Sequence, residues 1–213
     1  MELFSLKDKV IIITGASGLL GREHSKAIAK AGGIPVLIDI DKEKLAIQVK
    51  SIFDEYKIRT KAFKLDITNE ISVKKHCNLI KKYFGKIDGL INNAANNPKV
   101  ESNELNFSRL ENFSIDSWNN DISVSLTGSF ICTKYFGFEI SKNPNGGSII
   151  NVSSDLGLIA PNQNIYKKEG LDYNDQPVKP VSYSVTKHGI IGLTKYTSTY
   201  WAEKNLRCNA ICP

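Results

Sequence analysis

The chain has 213 residues, 41% hydrophobic and 23% charged, and carries a net charge of +6. This length suits one α/β domain better than two, and the composition is that of an ordinary globular protein. The lysines are scattered over predicted helix faces, which favours a solvated surface over a nucleic-acid patch. No apolar run reaches about 18 residues, so we expect no transmembrane span.

The cysteines and the amino terminus indicate a cytoplasmic protein without a metal site. Cys77, Cys132, Cys208 and Cys212 form no C-x-x-C pair and complete no zinc pattern with the three histidines. We therefore expect reduced thiols, which are typical of the cytoplasm. The segment before the first predicted strand is short and mixed in composition, so we expect no signal peptide.

Strand and helix patterns alternate along the chain. Strands are predicted at Val10–Ile13, Ile34–Ile38, Thr60–Leu65, Ile87–Ile91, Ser148–Val152 and Leu206–Ile211. Helices are predicted after residue 21 and over Lys42–Tyr56, 69–84, Ser117–Ser141 and Ser182–Glu203, with long loops at 96–113 and 155–181. The alternation predicts a doubly wound α/β fold, with helices on both faces of a parallel sheet of strand order 3-2-1-4-5-6.

A glycine-rich turn follows the first strand. Residues 14–21 read T-G-A-S-G-L-L-G, and a helix-compatible run begins directly after them. Glycine lets a pyrophosphate approach the backbone, and a helix N-terminus attracts it. A turn of this kind alone is equally compatible with a purely structural role.

Asp39 strengthens the nucleotide-binding interpretation. It follows the second strand, eighteen residues after Gly21, where a carboxylate would meet the ribose hydroxyls of NAD. The alternative is that Asp39 only caps the helix beginning near Lys42. Asp66, the N-N-A-A run of residues 92–95 and Ser153-Ser154 also follow strands. All these groups are therefore expected at one edge of the sheet.

Tyr183 and Lys187 open the last predicted helix. Residues at positions i and i+4 lie on the same helix face. A nearby ammonium stabilises a phenolate, which makes tyrosine a better acid–base catalyst near neutral pH. A Tyr-x-x-x-Lys pattern is common by chance, but here it follows a strand that ends in Ser153-Ser154 within a nucleotide-binding type of sheet.

The sequence resembles the short-chain dehydrogenase/reductase family over essentially the whole chain. The matching pieces are the glycine turn of residues 14–21, Asp66, the N-N-A-A run, Ser153-Ser154, Tyr183 with Lys187, and R-C-N-A-I-C-P at residues 207–213. The resemblance implies an enzyme that transfers hydride between a nicotinamide cofactor and an alcohol or carbonyl. It also implies one NAD(P)-binding Rossmann domain over residues 1–213.

The resemblance assigns roles residue by residue. Tyr183 would be the general acid or base, Lys187 would bind the nicotinamide ribose and favour the phenolate, and Ser154 would orient the substrate oxygen. Asp39 favours NAD over NADP, because a carboxylate repels a 2′-phosphate. The residues expected to contact the cofactor are Gly15, Ser17, Gly18, Leu20, Gly21, Asp39, Asp66, Ile67, Asn92, Ala94, Tyr183 and Lys187.

Three features depart from the family pattern. Ser125 stands where the family has an asparagine that supports a water-linked proton relay, so either its hydroxyl substitutes or the relay is weaker. The glycine spacing and the 29-residue interval from Ser154 to Tyr183 resemble the extended subgroup, which often acts on nucleotide sugars, whereas Asn92-Asn93 and residues 207–213 resemble the classical subgroup. In combining the two patterns the chain is similar to bacterial reductases of surface-sugar and flagellin-modification pathways. It also ends at Pro213, before the seventh strand of classical members, so we expect a truncated domain.

These features predict an NAD-dependent oxidoreductase that acts on a hydroxyl or ketone of a sugar or nucleotide sugar in surface glycan biosynthesis. The alternatives are a 3-oxoacyl or small-alcohol dehydrogenase, and a non-catalytic NAD-binding scaffold. Family members commonly pair the helices corresponding to Ser117–Ser141 and Ser182–Glu203, which predicts a homodimer or homotetramer.

Overall fold

The computed structural model describes residues 4–96 and 108–213. Its six strands are all parallel and lie in the order β3-β2-β1-β4-β5-β6, which confirms the predicted doubly wound sheet. The strands are β1 Val10–Thr14, β2 Ile34–Asp39, β3 Lys61–Lys64, β4 Gly89–Asn92, β5 Gly147–Val152 and β6 Leu206–Ile211.

Local capping sets the limits of the first three helices, α1 Leu19–Lys30, α2 Lys42–Tyr56 and α3 Glu70–Phe84. The Asp41 side chain accepts a hydrogen bond from the Lys44 amide at the start of α2, and Asn69 accepts one from the Ser72 amide at the start of α3. Gly85 ends α3 in the left-handed region, at φ 78°. The cap of α2 is therefore Asp41, which leaves Asp39 available for another role.

The predicted helix over Ser117–Ser141 is continuous but not regular. It consists of α4 Ile115–Asp121, α5 Gly128–Cys132 and α6 Phe138–Ile140, joined by π-helical turns at Ile122–Thr127 and Thr133–Gly137. The last helix, α7 Val181–Tyr200, packs on β6 and on the first π-helical turn. Wider π turns often occur at functional sites, and the first of them contains Ser125.

Two apolar clusters cover the two faces of the sheet. Ile28 of α1 and Ile52 of α2 are buried against one face, while Ile80 of α3 and Phe136 are buried against the other. Because strands with both faces covered hold their ends rigidly, the loops at the carboxyl ends are well positioned for binding. Among the described residues, no helix is long and apolar enough to cross a membrane.

The structure describes all of one predicted long loop and only part of the other. Residues 155–180 connect β5 to α7 and contain three short 3₁₀ turns, at Asp155–Gly157, Gln163–Tyr166 and Tyr173–Asp175. Most of the predicted loop over residues 96–113 lies outside the part of the chain that the structure describes.

Candidate active site

A cleft of about 840 Å³ opens at the carboxyl ends of the strands. Eleven of the residues predicted to act in catalysis or cofactor binding line it: Gly15, Ser17, Gly18, Leu20, Asp39, Asp66, Ile67, Ala94, Ser154, Tyr183 and Lys187. Gly21, Asn92 and Ser125 do not line the cleft. A cleft at this edge of a parallel sheet is the expected position for a ligand.

The glycine turn is built for close approach between backbone segments. Gly15 has φ +62°, and a Cβ atom there would lie 2.7 Å from Cα of Ala94. At Gly21 a Cβ atom would lie 2.1 Å from the carbonyl oxygen of Gly15. Gly18 begins α1 without a side-chain cap, so no side chain of its own occupies the free amides at this helix end. The two glycines thus allow the turn to pack against β4 and against itself, and the uncapped amides at the start of α1 remain available to a pyrophosphate group.

Asp39 holds the glycine turn to the end of β2. Its carboxylate accepts one hydrogen bond from the Ser17 amide at 2.9 Å and another from the Asp41 amide at 3.1 Å. An ionised carboxylate has further lone pairs, so it can still accept from a ribose hydroxyl. The structure thus gives Asp39 a fixed orientation at the cleft wall.

Residues that follow β3 and β4 also line the cleft. The Asp66 carboxylate accepts from the Thr68 amide at 2.9 Å, and Ile67 is buried beside it. The Asn93 side-chain amide donates to the carbonyls of Thr14 and Gly15, both at 3.0 Å. This amide therefore fixes the β4 turn against the glycine turn.

The two adjacent serines at the end of β5 have different roles. The Ser153 hydroxyl is buried and donates to the Lys187 carbonyl at 2.8 Å, which ties β5 to α7. The Ser154 hydroxyl donates to the Asp155 carboxylate at 2.8 Å and accepts from the Leu156 amide at 3.3 Å. Both serines line the cleft, but the hydroxyl of Ser153 is committed to a backbone carbonyl, whereas that of Ser154 could donate to a ligand oxygen if it released Asp155.

Tyr183 and Lys187 lie on the same side of α7 and both line the cleft. The Lys187 ammonium is 5.6 Å from the Tyr183 ring centroid and donates to the Val152 carbonyl at 2.9 Å. Lys187 is 6% exposed, and this burial lowers its pKa from 10.5 to about 8, aided by the positive charge of Lys179 and opposed by Cys212. A buried ammonium beside a phenol is suited to controlling the protonation of that phenol.

Ser125 lies below the cleft rather than on its wall. It is 3% exposed, and its hydroxyl accepts from the Asn96 amide at 3.2 Å. Asn92 is also buried: its side-chain amide donates to Thr133 at 3.0 Å and to Asn151 at 2.8 Å. The proton-relay role of Ser125 and the cofactor role of Asn92 stay predictions.

Three supporting residues were not singled out from the sequence. The Thr14 hydroxyl accepts from the amides of Asn93 and Ala94, at 3.0 and 3.1 Å. The buried Asp121 carboxylate accepts from the Ser182 hydroxyl and so fixes the start of α7 against α4. Lys179 places its ammonium 3.7 Å from the Tyr183 ring centroid. Thr14 could have been recognised from the sequence, because it is a polar residue at the end of a predicted strand. Asp121 and Lys179 could not, because their contacts join segments that are distant in the sequence.

The residues present fit a nicotinamide dinucleotide. Gly15 and Gly18 line the cleft, and α1 presents uncapped amides at the same point. Asp39 follows β2, Tyr183 and Lys187 lie on α7, and all three residues line the same cleft. One continuous cleft thus joins the glycine turn and Asp39 to Tyr183 and Lys187.

Comparison with known proteins agrees with this geometry. The short chain dehydrogenase family matches residues 9–167. An NAD-dependent glycerol dehydrogenase of Listeria innocua is 29% identical over 212 residues, covering 99% of this chain and 71% of the relative. A 7α-hydroxysteroid dehydrogenase of Bacteroides fragilis is 29% identical over 211 residues, covering 97% and 71%. The crystal structure of an NAD⁺-bound xylitol dehydrogenase superimposes with a TM-score of 0.82 at 25% identity, covering 98% of this chain and 70% of that one. The chain belongs to the short-chain dehydrogenase family of oxidoreductases.

Proposed function

We propose that the protein transfers hydride between NAD and a hydroxyl or ketone group of a sugar-like substrate, activated as a nucleotide sugar. The observation that carries this proposal is the single cleft that joins the glycine turn and Asp39 at one end to Tyr183 and Lys187 at the other. The bound cofactor would supply or accept the hydride. The chain's own residues would bind the substrate oxygen and move its proton.

Tyr183 has the central chemical role in this proposal. Its hydroxyl would donate a proton to the substrate oxygen during ketone reduction and accept one during alcohol oxidation. Lys187, held by the Val152 carbonyl, would stabilise the phenolate form and bind a cofactor ribose hydroxyl. Ser154 would hold the substrate oxygen after releasing Asp155.

Asp39 supports NAD as the preferred cofactor. Two backbone amides hold its carboxylate at the cleft wall. A 2′-phosphate on the ribose would therefore be repelled by a negative charge whose orientation is fixed. Binding of NADH and NADPH, measured by calorimetry on the same preparation, tests this preference. Equal affinities would contradict the role of Asp39.

The sugar assignment rests on the relatives and on the loop before Tyr183. The glycerol and xylitol dehydrogenases named above act, by their names, on polyols. The loop of residues 155–180 brings the ammonium of Lys179 to 3.7 Å from the Tyr183 ring centroid, whereas a steroid would require an apolar wall. A 3-oxoacyl or small-alcohol substrate is the second candidate, favoured by the steroid relative's apolar substrate. A kinetic panel of nucleotide sugars, polyols, steroids and 3-oxoacyl thioesters separates these classes.

Tyr183→Phe distinguishes an enzyme from a cofactor-binding scaffold. We expect this variant to lose about 10²- to 10⁴-fold in kcat, the range typical for removal of a general acid–base group, while NADH binding stays close to that of the wild type. Tyr83→Phe, on an exposed residue of α3, is the matched control. Unchanged turnover in Tyr183→Phe would refute the proposed role, and no turnover by the wild type on the whole panel would favour the scaffold.

We also propose a homodimer or homotetramer through α4–α6 and α7. Phe130 and Phe138 on the first of these helices, and Tyr196 and Tyr200 on the second, are large side chains left more than half exposed. Covering them would remove apolar area from water. Light scattering that gives a monomeric mass at micromolar concentration would contradict this assembly.

A further inference from the structure

The outer side of α3 carries large apolar side chains that the described part of the chain leaves exposed. Val73, Cys77 and Ile80 of this helix are buried against the sheet. Ile71 and Leu79 lie on the outer side instead, and 82% and 49% of their surfaces stay exposed. Residues four positions apart lie on the same side of a helix, so these two side chains belong to one stripe, with position 75 between them.

Lysines share this stripe and lie beside it. Lys75 is midway along it and Lys82 is near its end, and both are exposed. Lys61 of the edge strand β3 adds another positive charge, since its ammonium lies 4.6 Å from the ring centroid of Tyr83 at the end of α3. Within the described residues, none of these three lysines forms an ion pair. The outer face of α3 is defined here by Ile71, Lys75, Leu79 and Lys82.

The acidic groups around α3 lie on its inner flank, away from this face. The helix contains four lysines and a single acidic residue, Glu70. The Glu70 carboxylate accepts from the Lys134 ammonium at 2.7 Å and from the Tyr135 hydroxyl at 2.8 Å, both in the neighbouring helical segment. Lys81 pairs with Glu139 on the same flank. The outer face of α3 therefore combines exposed apolar side chains with positive charge.

Charge and shape together favour an anionic lipid surface as the partner of this face. A second copy of the face would set lysine against lysine, because a two-fold contact pairs a surface with itself. A protein partner would need about 800 Å² of complementary surface, whereas this face is the convex side of one helix. A bilayer has no fixed shape, so it accepts single protruding apolar side chains at the headgroup level and attracts lysines through its anionic lipids.

We propose that the outer face of α3 binds the surface of an anionic membrane. Ile71 and Leu79 would enter the headgroup region, while Lys75 and Lys82 would lie against lipid phosphates. None of these four residues lines the cleft, so the membrane contact is independent of the proposed hydride transfer. The proposed subunit contact through α4–α6 and α7 does not use this face either.

Sedimentation of the whole chain with large vesicles tests the proposal. One set of vesicles contains phosphatidylcholine alone, and the other contains phosphatidylcholine and phosphatidylglycerol in equal parts. At low salt we expect the wild type to bind the anionic set at least about tenfold more tightly, because each lysine near such a surface contributes roughly a factor of five. The difference should shrink as salt is added, since exposed charges are screened.

Substitutions separate the charged and apolar parts of the face. Lys75→Gln combined with Lys82→Gln should lower binding to the anionic vesicles about 10- to 30-fold. Ile71→Gln should lower it about three- to tenfold, because one apolar side chain no longer enters the bilayer interface.

The matched controls lie on α1 and α2, which cover the opposite face of the sheet. Lys30→Gln combined with Lys50→Gln makes the same change of net charge on exposed residues, and Ile47→Gln makes the same apolar-to-polar change on a residue that is 70% exposed. These variants should bind the anionic vesicles as the wild type does.

A substitution that increases binding keeps the test independent of variants that fold poorly. Ile71→Trp should bind the anionic vesicles more tightly than the wild type, and its fluorescence should shift to shorter wavelength on binding, since tryptophan favours the membrane interface. Ile47→Trp should show no such shift.

Three results would overturn the proposal. The first is a wild type that does not bind the anionic vesicles, which would point to an acidic protein as the partner. The second is an equal loss of binding in the control variants. The third is binding that depends on the lysines but is unchanged in Ile71→Gln, with no shift in Ile71→Trp, because general attraction of a protein of net charge +6 would then suffice. Turnover of soluble substrates in the absence of vesicles tests the proposed function separately.

Discussion

Replacing Lys187 by methionine should change how the stability of the protein depends on pH. The side chain is 6% exposed, and burial, aided by Lys179, lowers its pKa from 10.5 to about 8. Between these two values the unfolded chain holds a proton that the folded chain has released. Stability must therefore rise with pH across this window, because the unfolded state binds more protons.

The size of the effect follows from the two pKa values. At about pH 7 the folded protein keeps this buried ammonium charged, at a cost of about 3 kcal/mol relative to the unfolded chain. Near pH 10 most of that cost has gone, since the folded state is then neutral at this position. We therefore expect the stability of the wild type, relative to Lys187→Met, to increase by about 2–3 kcal/mol from pH 7 to pH 10.

Urea unfolding at both pH values measures this difference. The variant also loses the hydrogen bond from Lys187 to the Val152 carbonyl. That loss lowers the free energy of unfolding at both pH values, so it does not account for a difference between them. Lys204→Met, on an exposed residue, controls for a general change of charge. If the stability difference between wild type and Lys187→Met were the same at pH 7 and pH 10, the burial of a charged lysine would not be the cause that we assign.

Two further predictions concern the walls of the cleft. Gly15→Ala should weaken NADH binding at least about tenfold in calorimetry, because φ is +62° and the new Cβ would lie 2.7 Å from Cα of Ala94; unchanged binding would show that the turn yields easily. Asp155→Ala should free the Ser154 hydroxyl, which now donates to that carboxylate at 2.8 Å, and raise kcat/KM for ketone reduction about fivefold. A lower kcat/KM in steady-state kinetics would mean that Asp155 positions Ser154 productively.

The order of elements and the location of the site follow from sequence patterns that act locally. Alternating apolar strands and helices, with Asp41 and Asn69 able to cap α2 and α3, produce the parallel sheet. Because polar residues such as Asp39 and Ser154 follow strands directly, their placement at one edge is a consequence of the parallel order. The sequence alone thus predicted the edge of the sheet at which the cleft opens and eleven of the residues that line it, but it also placed Gly21, Asn92 and Ser125 in the site, and these do not line the cleft.

The hydrogen-bond partners of the two adjacent serines at the end of β5 depend on tertiary contacts. Ser153 and Ser154 are identical in kind and adjacent, and both line the cleft, yet the first donates to the Lys187 carbonyl and the second to the Asp155 carboxylate. The alternation of side chains at the end of β5, against a helix 34 residues further on, makes this distinction. No local pattern contains that information.

The position of Lys179 in the fold could not be predicted from the sequence either. In the sequence it is one of many lysines, inside a long loop without periodicity. Only the folding of that loop onto Gln163 and Ser108 brings its ammonium to within 3.7 Å of the Tyr183 ring centroid. Hydrophobic periodicity and capping act between residues a few positions apart, so the sequence by itself determined the sheet, the glycine turn and the pairing of Tyr183 with Lys187 on one side of α7. The electrostatics around that pair depend on contacts between distant segments, and these exist only once the chain has packed.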